Sequence, residues 1–523
     1  MTITMAKRGR LALLPLAAGL CAAFPAQAAW DFTPTAAARA TYSDNVTLQE
    51  NDRAEGGFVL QLTPGFQLLN HSQRFDLSLD YALNLYEYSG GRRTGTQRHS
   101  QDLSSRLKSR LVEDLLYLDA EAGVHQQATS AFGPLQGGND YVRTNRNEVR
   151  SYRISPYLVH RFGAFANGEL RYTNDSVSTD NAGMRRSDGN TISGQLRSGP
   201  TFRRFSWDAS ATRSVIDEEL PATGGSASRS QTTSSKAANV NLRYAATQQL
   251  NVGVFGGYDD YDFSGLGGAQ SGAAYGANLQ WTPSARTSIQ ASAGHRFYGP
   301  SYSLALQHRS RGTVWNVVYS DSVSTTRSQF LLPQAINTAA LLDNLFRAQV
   351  PDPLLRAAVV QAYIRSAGLP PSLASSVNFL SNRYSLQKQF NASVAWQLAR
   401  TTSTFTVFKS KREMLSSQQV DSALLGSSLL SLNDNTEQTG AMASVSYRPG
   451  AQTVATLIAN ATNIKSLSDA RNSHHRDLRL NLSRTFSTRT NGSVELRRVT
   501  GSAGLGGLNY TENAISATLS TRF

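Results

Sequence analysis

Between Arg74 and Tyr86 the chain alternates: Phe75, Leu77, Leu79, Tyr81, Leu83 and Leu85 hold the odd positions, Arg74, Asp76, Ser78, Asp80 and Asn84 the even ones. A period of two gives a strand with one apolar and one wet face. The same period returns at Leu250, Val252, Val254 and Tyr258; at Trp315, Val317 and Tyr319; at Tyr384, Leu386, Phe390, Val394, Trp396 and Leu398; and at Leu478, Leu480, Leu482 and Phe486. These segments run for about 10–15 residues, against ~5–6 in an ordinary globular strand, and are long enough to cross a bilayer at a tilt. A soluble sandwich would turn the apolar faces into a core, so a single strand does not separate the two architectures.

The connections separate them. Counting from Thr35 to Phe523 predicts about 22 strands, an even number as in single-chain bacterial barrels. Short turns fall near Asn70-His71-Ser72, Val112-Glu113, Phe162-Gly163, Phe202-Arg203, Thr247-Gln248, Thr282-Pro283-Ser284, Arg309-Ser310, Ala399-Arg400, Pro449-Gly450 and Ser487-Thr488. Between them lie longer polar stretches: Ala128 to Asn145, Thr179 to Arg186, Asp217 to Ser230, Glu413 to Asn433 and Ser466 to Ser473. Short turns at one end and long loops at the other are the pattern of an outer-membrane barrel. Tyr298-Gly299-Pro300-Ser301 is too tight for the loop end and is read as a short external hairpin. The predicted fold is an all-β, antiparallel up-and-down transmembrane β-barrel.

Both termini fit this reading. The chain closes on Ile515-Ser516-Ala517-Thr518-Leu519-Ser520-Thr521-Arg522-Phe523, where Ile515, Leu519 and the terminal Phe523 share a face, as in a C-terminal barrel-assembly signal. At the other end Lys7, Arg8 and Arg10 precede an apolar run from Leu11 to Phe24, and Pro25-Ala26-Gln27-Ala28 supplies a small-x-small cleavage site. Residues 1–28 are thus expected to be a signal peptide, and 29–523 the barrel. Cys21, the one cysteine, falls within that apolar run, and Leu20 before it does not suit a lipobox. The mature chain then has no thiol, which excludes a disulfide scaffold and a cysteine nucleophile. Alternation begins within a few residues of Trp30, so neither an N-terminal plug domain nor a siderophore-type receptor is expected.

Composition changes the picture in one respect. With 40% hydrophobic and 17% charged residues the chain is too polar for helical spans. Of its formal charge of +14, the signal carries three, leaving +11 for anionic partners such as lipopolysaccharide or acidic polymers. No compact basic motif points to nucleic acid.

One interval, Phe330 to Asn382, has a helical period. Ile336, Ala340, Leu341, Leu345 and Phe346 form a stripe between Gln334 and Arg347. A second helix is expected from Pro353 to about Ala367, with Asp352 as N-cap and Gly368 as C′. Residues 331–369 therefore form a helical hairpin insert within the barrel. It either packs on the outer rim or serves as a lid or lumen plug, with Leu341, Leu345, Phe346, Arg356 and Arg365 as its candidate residues.

Chemistry is sparse: no G-x-S-x-G, Walker or H-E-x-x-H motif occurs, and no catalytic, metal or cofactor residues are expected. His474-His475 beside Asp477 reads as a solvated loop pair, since adjacent strand residues face opposite ways. His308 and Ser310 have no acid partner for a hydrolase. Gly265 to Gly268 and Gly501 to Gly507 read as flexible turns. Arg74, Asp76, Asp80, Asp477 and Arg479 are candidate lumen residues, with Arg522 on the same parity; their mixed signs give no clean anion path.

Thr41-Tyr42-Ser43-Asp44-Asn45 followed by Thr63-Pro64-Gly65-Phe66 resembles the opening of outer-membrane proteins associated with PEP-CTERM/exosortase systems. Leu306-Gln307-His308-Arg309-Ser310-Arg311 running into Trp315 and Val318-Tyr319-Ser320-Asp321, then Pro351-Asp352-Pro353 and Arg356, continue the likeness. The resemblance implies a Gram-negative barrel whose genes accompany exopolysaccharide biosynthesis, and it carries no catalytic residues. The expected function is assistance to export or surface assembly of an exopolysaccharide; a non-conducting docking barrel and a general porin are the alternatives. Expected partners are outer-membrane lipid and lipopolysaccharide, the barrel-assembly machinery and polysaccharide-export components, and not nucleic acid.

Overall fold

A computed structural model describes residues 30–523 apart from 90–95, 129, 135–140, 180–185, 221–228, 264–267, 325–337, 348–349, 353–355, 357–358, 362, 365–366, 368, 370–384, 416–434 and 504–507. The expected signal peptide, and Gln334, Ile336, Pro353, Arg365 and Gly368 of the insert, lie outside the described residues. Twenty-two antiparallel strands, β1 (Trp30–Ser43) to β22 (Leu508–Arg522), form one sheet that closes on itself. Those that bear on the interior include β4 (His99–Val112), β5 (Leu116–Ala128), β7 (Ala166–Thr179), β8 (Ser187–Ser198), β9 (Phe205–Leu220), β10 (Arg229–Ala245), β17 (Thr401–Met414), β18 (Thr436–Gly450) and β19 (Thr453–Ser466). Each strand pairs with its sequence neighbours, and closure comes from β1 against β22, Thr35 opposite Arg522 through Ser43 opposite Ala514. Strands run from 10 residues in β13 (Thr287–Arg296) to 17 in β6 (Arg146–Phe162), longer than globular strands and suited to a tilted crossing.

The alternation reads directly onto the wall. In β22 Ile515 and Leu519 are exposed while Glu512, Ala514 and Ser516 are buried, so odd residues face out and even ones in. Nothing but a surrounding apolar medium makes a ring of exposed leucines and valines favourable, and that medium is lipid. Exposed Trp30, Phe162, Phe205, Trp281, Trp315 and Phe523 form an aromatic girdle at the short-turn end. The terminal Phe523 is tied into it by its N–H, which donates to the Pro34 carbonyl at 3.0 Å.

The ten short turns fall within a residue or two of their expected places, from Ser72–Arg74 between β2 (Gly57–His71) and β3 (Phe75–Tyr88) to Phe486–Arg489 between β20 (Asn472–Thr485) and β21 (Thr490–Ala503). At the opposite end Arg296 pairs with Gly299, so Phe297 and Tyr298 alone make the tight outer hairpin, and Gly299 takes a φ of +108° that side-chain-bearing residues avoid. Helix α1 (Thr338–Phe346) lies in the connection from β15 (Thr313–Ser324) to β16 (Ser385–Gln397). Helical residues recur at 356, 359–361, 363–364 and 367.

Candidate functional site

The insert lies inside the barrel. Leu341, Leu342, Leu345 and Phe346 of α1 and Val360, Tyr363, Ala367 and Leu369 beyond it form one buried cluster with Val314, Ala395, Phe408, Met442 and Ile458. The latter five are wall residues at inward positions: their neighbours Trp315, Phe405 and Leu457 are exposed to the outside. Burying each large apolar side chain is worth about 2 kcal/mol, so the cluster docks the insert firmly against β15–β19. Of the two sequence expectations, rim hairpin and lumen occupant, the geometry matches the second.

The insert reaches deep. Although it leaves the wall at the long-loop end, its Tyr363 meets Thr402, Ser446 and Arg448, which lie near the short-turn ends of β17 and β18. Tyr363 stacks edge-on against Phe346, with centroids 5.5 Å apart, and sits under the Arg448 guanidinium at 5.2 Å. Burial pushes its hydroxyl above the usual tyrosine range, against the hydrogen bonds of Ser446 and Thr402. Arg356 is buried and holds the hairpin together: its Nε donates to Asp343 at 2.7 Å and its Nη1 to the carbonyls of Val350 and Pro351. Arg356 is thus an internal strut rather than a group offered to the lumen. The expected N-cap, Asp352, accepts from the Arg356 backbone N–H through its carbonyl at 2.9 Å.

A second element covers the lumen from the long-loop end. The described parts of the β5–β6 connection turn inward: Ala131 and Phe132 pack on Ile464 of β19, and Tyr141 and Val142 pack with Val46, Leu48, Val59, Tyr86, Val499 and Tyr510. This loop therefore touches wall strands on the far side of the closure seam. Tyr141 donates to the Glu512 carboxylate at 2.9 Å, and Glu512 also accepts from Arg497 at 3.0 Å and from Ser43 at 2.9 Å. Arg497 and Glu512 are 1% and 0% exposed at their side chains, so the pair has no water to substitute for either partner. Burial, then the charge of Glu512, raises the Tyr141 pKa, which keeps the hydroxyl a donor.

The Thr41–Asn45 run that carries the family resemblance builds this latch. Thr41 bonds Ser516 at 2.9 Å, Asp44 accepts from Asn513 at 2.7 Å, and the Asn45 amide donates to the carbonyls of Gln49 and Thr511. Nothing in local periodicity announces these contacts, because all the partners but Gln49 lie more than 460 residues away.

Of the lumen candidates, Asp477 and Arg479 lie on the inward face of β20 and pair at 2.6 Å, and Asp80 faces a cavity described below. Asp76 stands exposed at the rim, paired with His71 at 2.7 Å. Arg74 is not a wall residue: it occupies the β2–β3 turn, 3.6 Å from Glu113, because the strand starts one residue after it. His474 and His475 are not in a loop either. Both belong to β20, with His474 exposed outward and His475 buried inward, bonded to the Tyr510 hydroxyl at 3.1 Å. Among the described residues no group of three or more His, Cys, Asp or Glu side chains is placed to hold a metal.

A cavity of about 740 Å³ opens beside the tip of the insert, between Val359 and Tyr363 on one side and the walls β1–β5 and β18–β22 on the other. Arg448, Arg489 and Arg522 line it together with Asp80, Asp102 and His125.

No protein-family model and no curated protein matches this chain. Solved structures do. The chain is similar to the FrpB iron transporter from Neisseria meningitidis: the F5-1 variant superposes with a TM-score of 0.51 at 9% identity, covering 94% of this chain and 83% of that one. Its apoprotein form gives 0.52 at 9%, covering 94% and 81%, and the F3-3 variant 0.50 at 9%, covering 94% and 82%. At such identities the likeness speaks to the fold, an outer-membrane β-barrel.

Proposed function

We propose that this barrel is a conduit gated by its own insert, and that it assists export or surface assembly of an exopolysaccharide in a system of the PEP-CTERM/exosortase type. The observation that carries the reading is the docking of the insert on β15–β19 inside the lumen, where it occupies the path a polymer would take. A barrel of this strand number encloses a lumen wide enough to need such a filler. Tethering at both ends lets the insert swing aside without leaving the molecule. The family resemblance supplies the polysaccharide context, and with it periplasmic export components, lipopolysaccharide and the barrel-assembly machinery as partners.

A non-conducting docking barrel is the second reading, favoured by the double cover of insert and β5–β6 loop. Single-channel conductance in planar bilayers separates the two. The expected result is little current through the intact chain and a large, stable conductance once 334–368 are deleted. Silence in both, with the heat-modifiable gel shift of a folded barrel, sinks the conduit.

A further inference from the structure

Arginines of the barrel interior differ in their partners. Arg39, Arg171, Arg243, Arg479 and Arg497 each meet a carboxylate, from Glu495, Asp119 and Glu169, Asp208, Asp477, and Glu512 respectively. Arg448, Arg489 and Arg522 make no ion pair among the described residues, and all three line the 740 Å³ cavity at the short-turn end, where Arg484 at the end of β20 joins them. The first three come from three different places, the end of β18 (Thr436–Gly450), the β20–β21 turn and the end of β22, which the closure of the sheet brings to one bank. Clustered cations without counter-charges repel one another, an arrangement that an anionic ligand relieves.

The opposite bank has different chemistry. Asp80 and Asp102, from β3 and from β4 (His99–Val112), face the same space, with Gln67 and Thr63 beside them. A bare polyanion would be repelled there. A ligand that suits both banks must carry acid groups and hydrogen-bond donors together, with carboxylates or phosphates for the arginines and hydroxyls for the aspartates. The volume falls in the range of sites that hold small molecules and short oligomers.

We infer that this cavity is a docking subsite for an acidic saccharide chain, arriving from the short-turn, periplasmic end. This inference rests on the export reading given above and names its substrate class. A chain seated here touches Val359 and Tyr363 of the insert and competes with Tyr363 for Arg448, so occupancy is felt directly by the element that fills the lumen.

Calorimetric titration of the full chain in detergent micelles tests this with three probes: a hexameric oligogalacturonate, maltohexaose and hexaglutamate. Oligogalacturonate is expected to bind, with affinity falling as salt rises. The R448Q/R522Q variant, its fold checked by the gel shift, is expected to bind it at least about tenfold more weakly, the loss of one charge-assisted contact or more. Maltohexaose lacks the acid groups and hexaglutamate the hydroxyls, and each is expected to bind at least about tenfold more weakly than oligogalacturonate. Absence of oligogalacturonate binding, unchanged binding by R448Q/R522Q, or equal binding of either control overturns the subsite. The conductance experiment uses no saccharide, so the two readings fail separately: a barrel that conducts without its insert but ignores oligogalacturonate loses only the subsite. One that binds oligogalacturonate and never conducts loses only the conduit.

Discussion

Along β15–β19 the inward side chains are mostly hydroxylic or apolar, among them Thr402, Thr404, Phe408, Met442, Ser444 and Ile458, all buried, with Arg412 the buried charge among them, its Nε donating to Ser385 at 3.2 Å. Along β5–β10 the inward positions hold Asp119, Glu169, Arg171, Asp208 and Arg243, half-buried and joined in pairs: Arg171 to Asp119 and Glu169 at 3.0 Å, Arg243 to Asp208. The first wall meets protein and the second meets water. Desolvating a charge against a helix costs several kcal/mol, so a wall that receives a plug sheds charges, while a wetted wall keeps them in mutually screened pairs. The latch at Glu512 is a charge pair kept under cover, and the three donors that converge on its carboxylate, Arg497, Ser43 and Tyr141, are what make it tolerable.

This contrast can be broken from either side. The largest effect is expected at the latch: Glu512→Gln leaves the buried Arg497 with only the more distant Glu495 carboxylate at 3.5 Å and should cost about 3 kcal/mol, read as lost hydrogen-exchange protection in the described parts of 130–145 while the barrel strands stay protected. Next comes Leu342→Ala. Leu342 is 0% exposed, so truncation leaves a cavity and costs about 3 kcal/mol of insert docking, seen as faster proteolysis of the insert and more frequent channel openings. Tyr141→Phe removes the hydrogen bond donated to Glu512 and the one accepted from Arg497 and should cost about 1–2 kcal/mol by the same exchange measurement. On the wet wall Arg171→Ala should move thermal stability by less than about 1 kcal/mol, because water replaces what the pair supplied, yet it should shift ion selectivity of the insert-deleted barrel toward cations. If Arg171→Ala were as damaging as Glu512→Gln, the distinction between dry and wet walls would fall.

The smallest effect is that of pH on Tyr141. Its pKa is raised in the folded state, so the hydroxyl's contribution is fully present below the ordinary tyrosine value of about 10 and is lost only as pH climbs through the folded value. Loop protection should therefore be flat from about pH 6 to 9 and decline only in strong alkali.

Strand number, turn positions and the in–out sense of each strand were legible because lipid and water impose a period of two that tertiary context does not override. The parity of Asp477, Arg479, Ile515 and Leu519 follows from that alone. Arg74 was misplaced by a single residue, which at a strand's edge is enough to move a side chain from wall to turn. His474-His475 was read as loop because β20 begins with polar residues and shows its leucines only from Leu478. The helical stripe of the insert was visible, whereas the wall it chooses was not, since that depends on single inward apolar residues, Val314, Ala395, Phe408, Met442 and Ile458, scattered over five strands. Least legible was the inward fold of the β5–β6 loop: Tyr141 and Glu512 are 371 residues apart, and a buried tyrosine in a polar stretch carries no local mark.

The seam between β1 and β22 governs how the molecule comes into being. Every other pairing joins neighbouring hairpins, but Thr35 finds Arg522 only when the whole chain is present. Loop-closure entropy for several hundred residues is about 5 kcal/mol, a barrier that hairpin-by-hairpin growth sidesteps by bringing the two edges together last. Until that moment β1 and β22 stand as open edges with unpaired amides, hazardous in water and intolerable in lipid. A chain truncated before Leu508 would thus fail as a whole sheet rather than lose one strand, and the final aromatic-tipped segment acts as the clasp on which survival of the nascent protein depends.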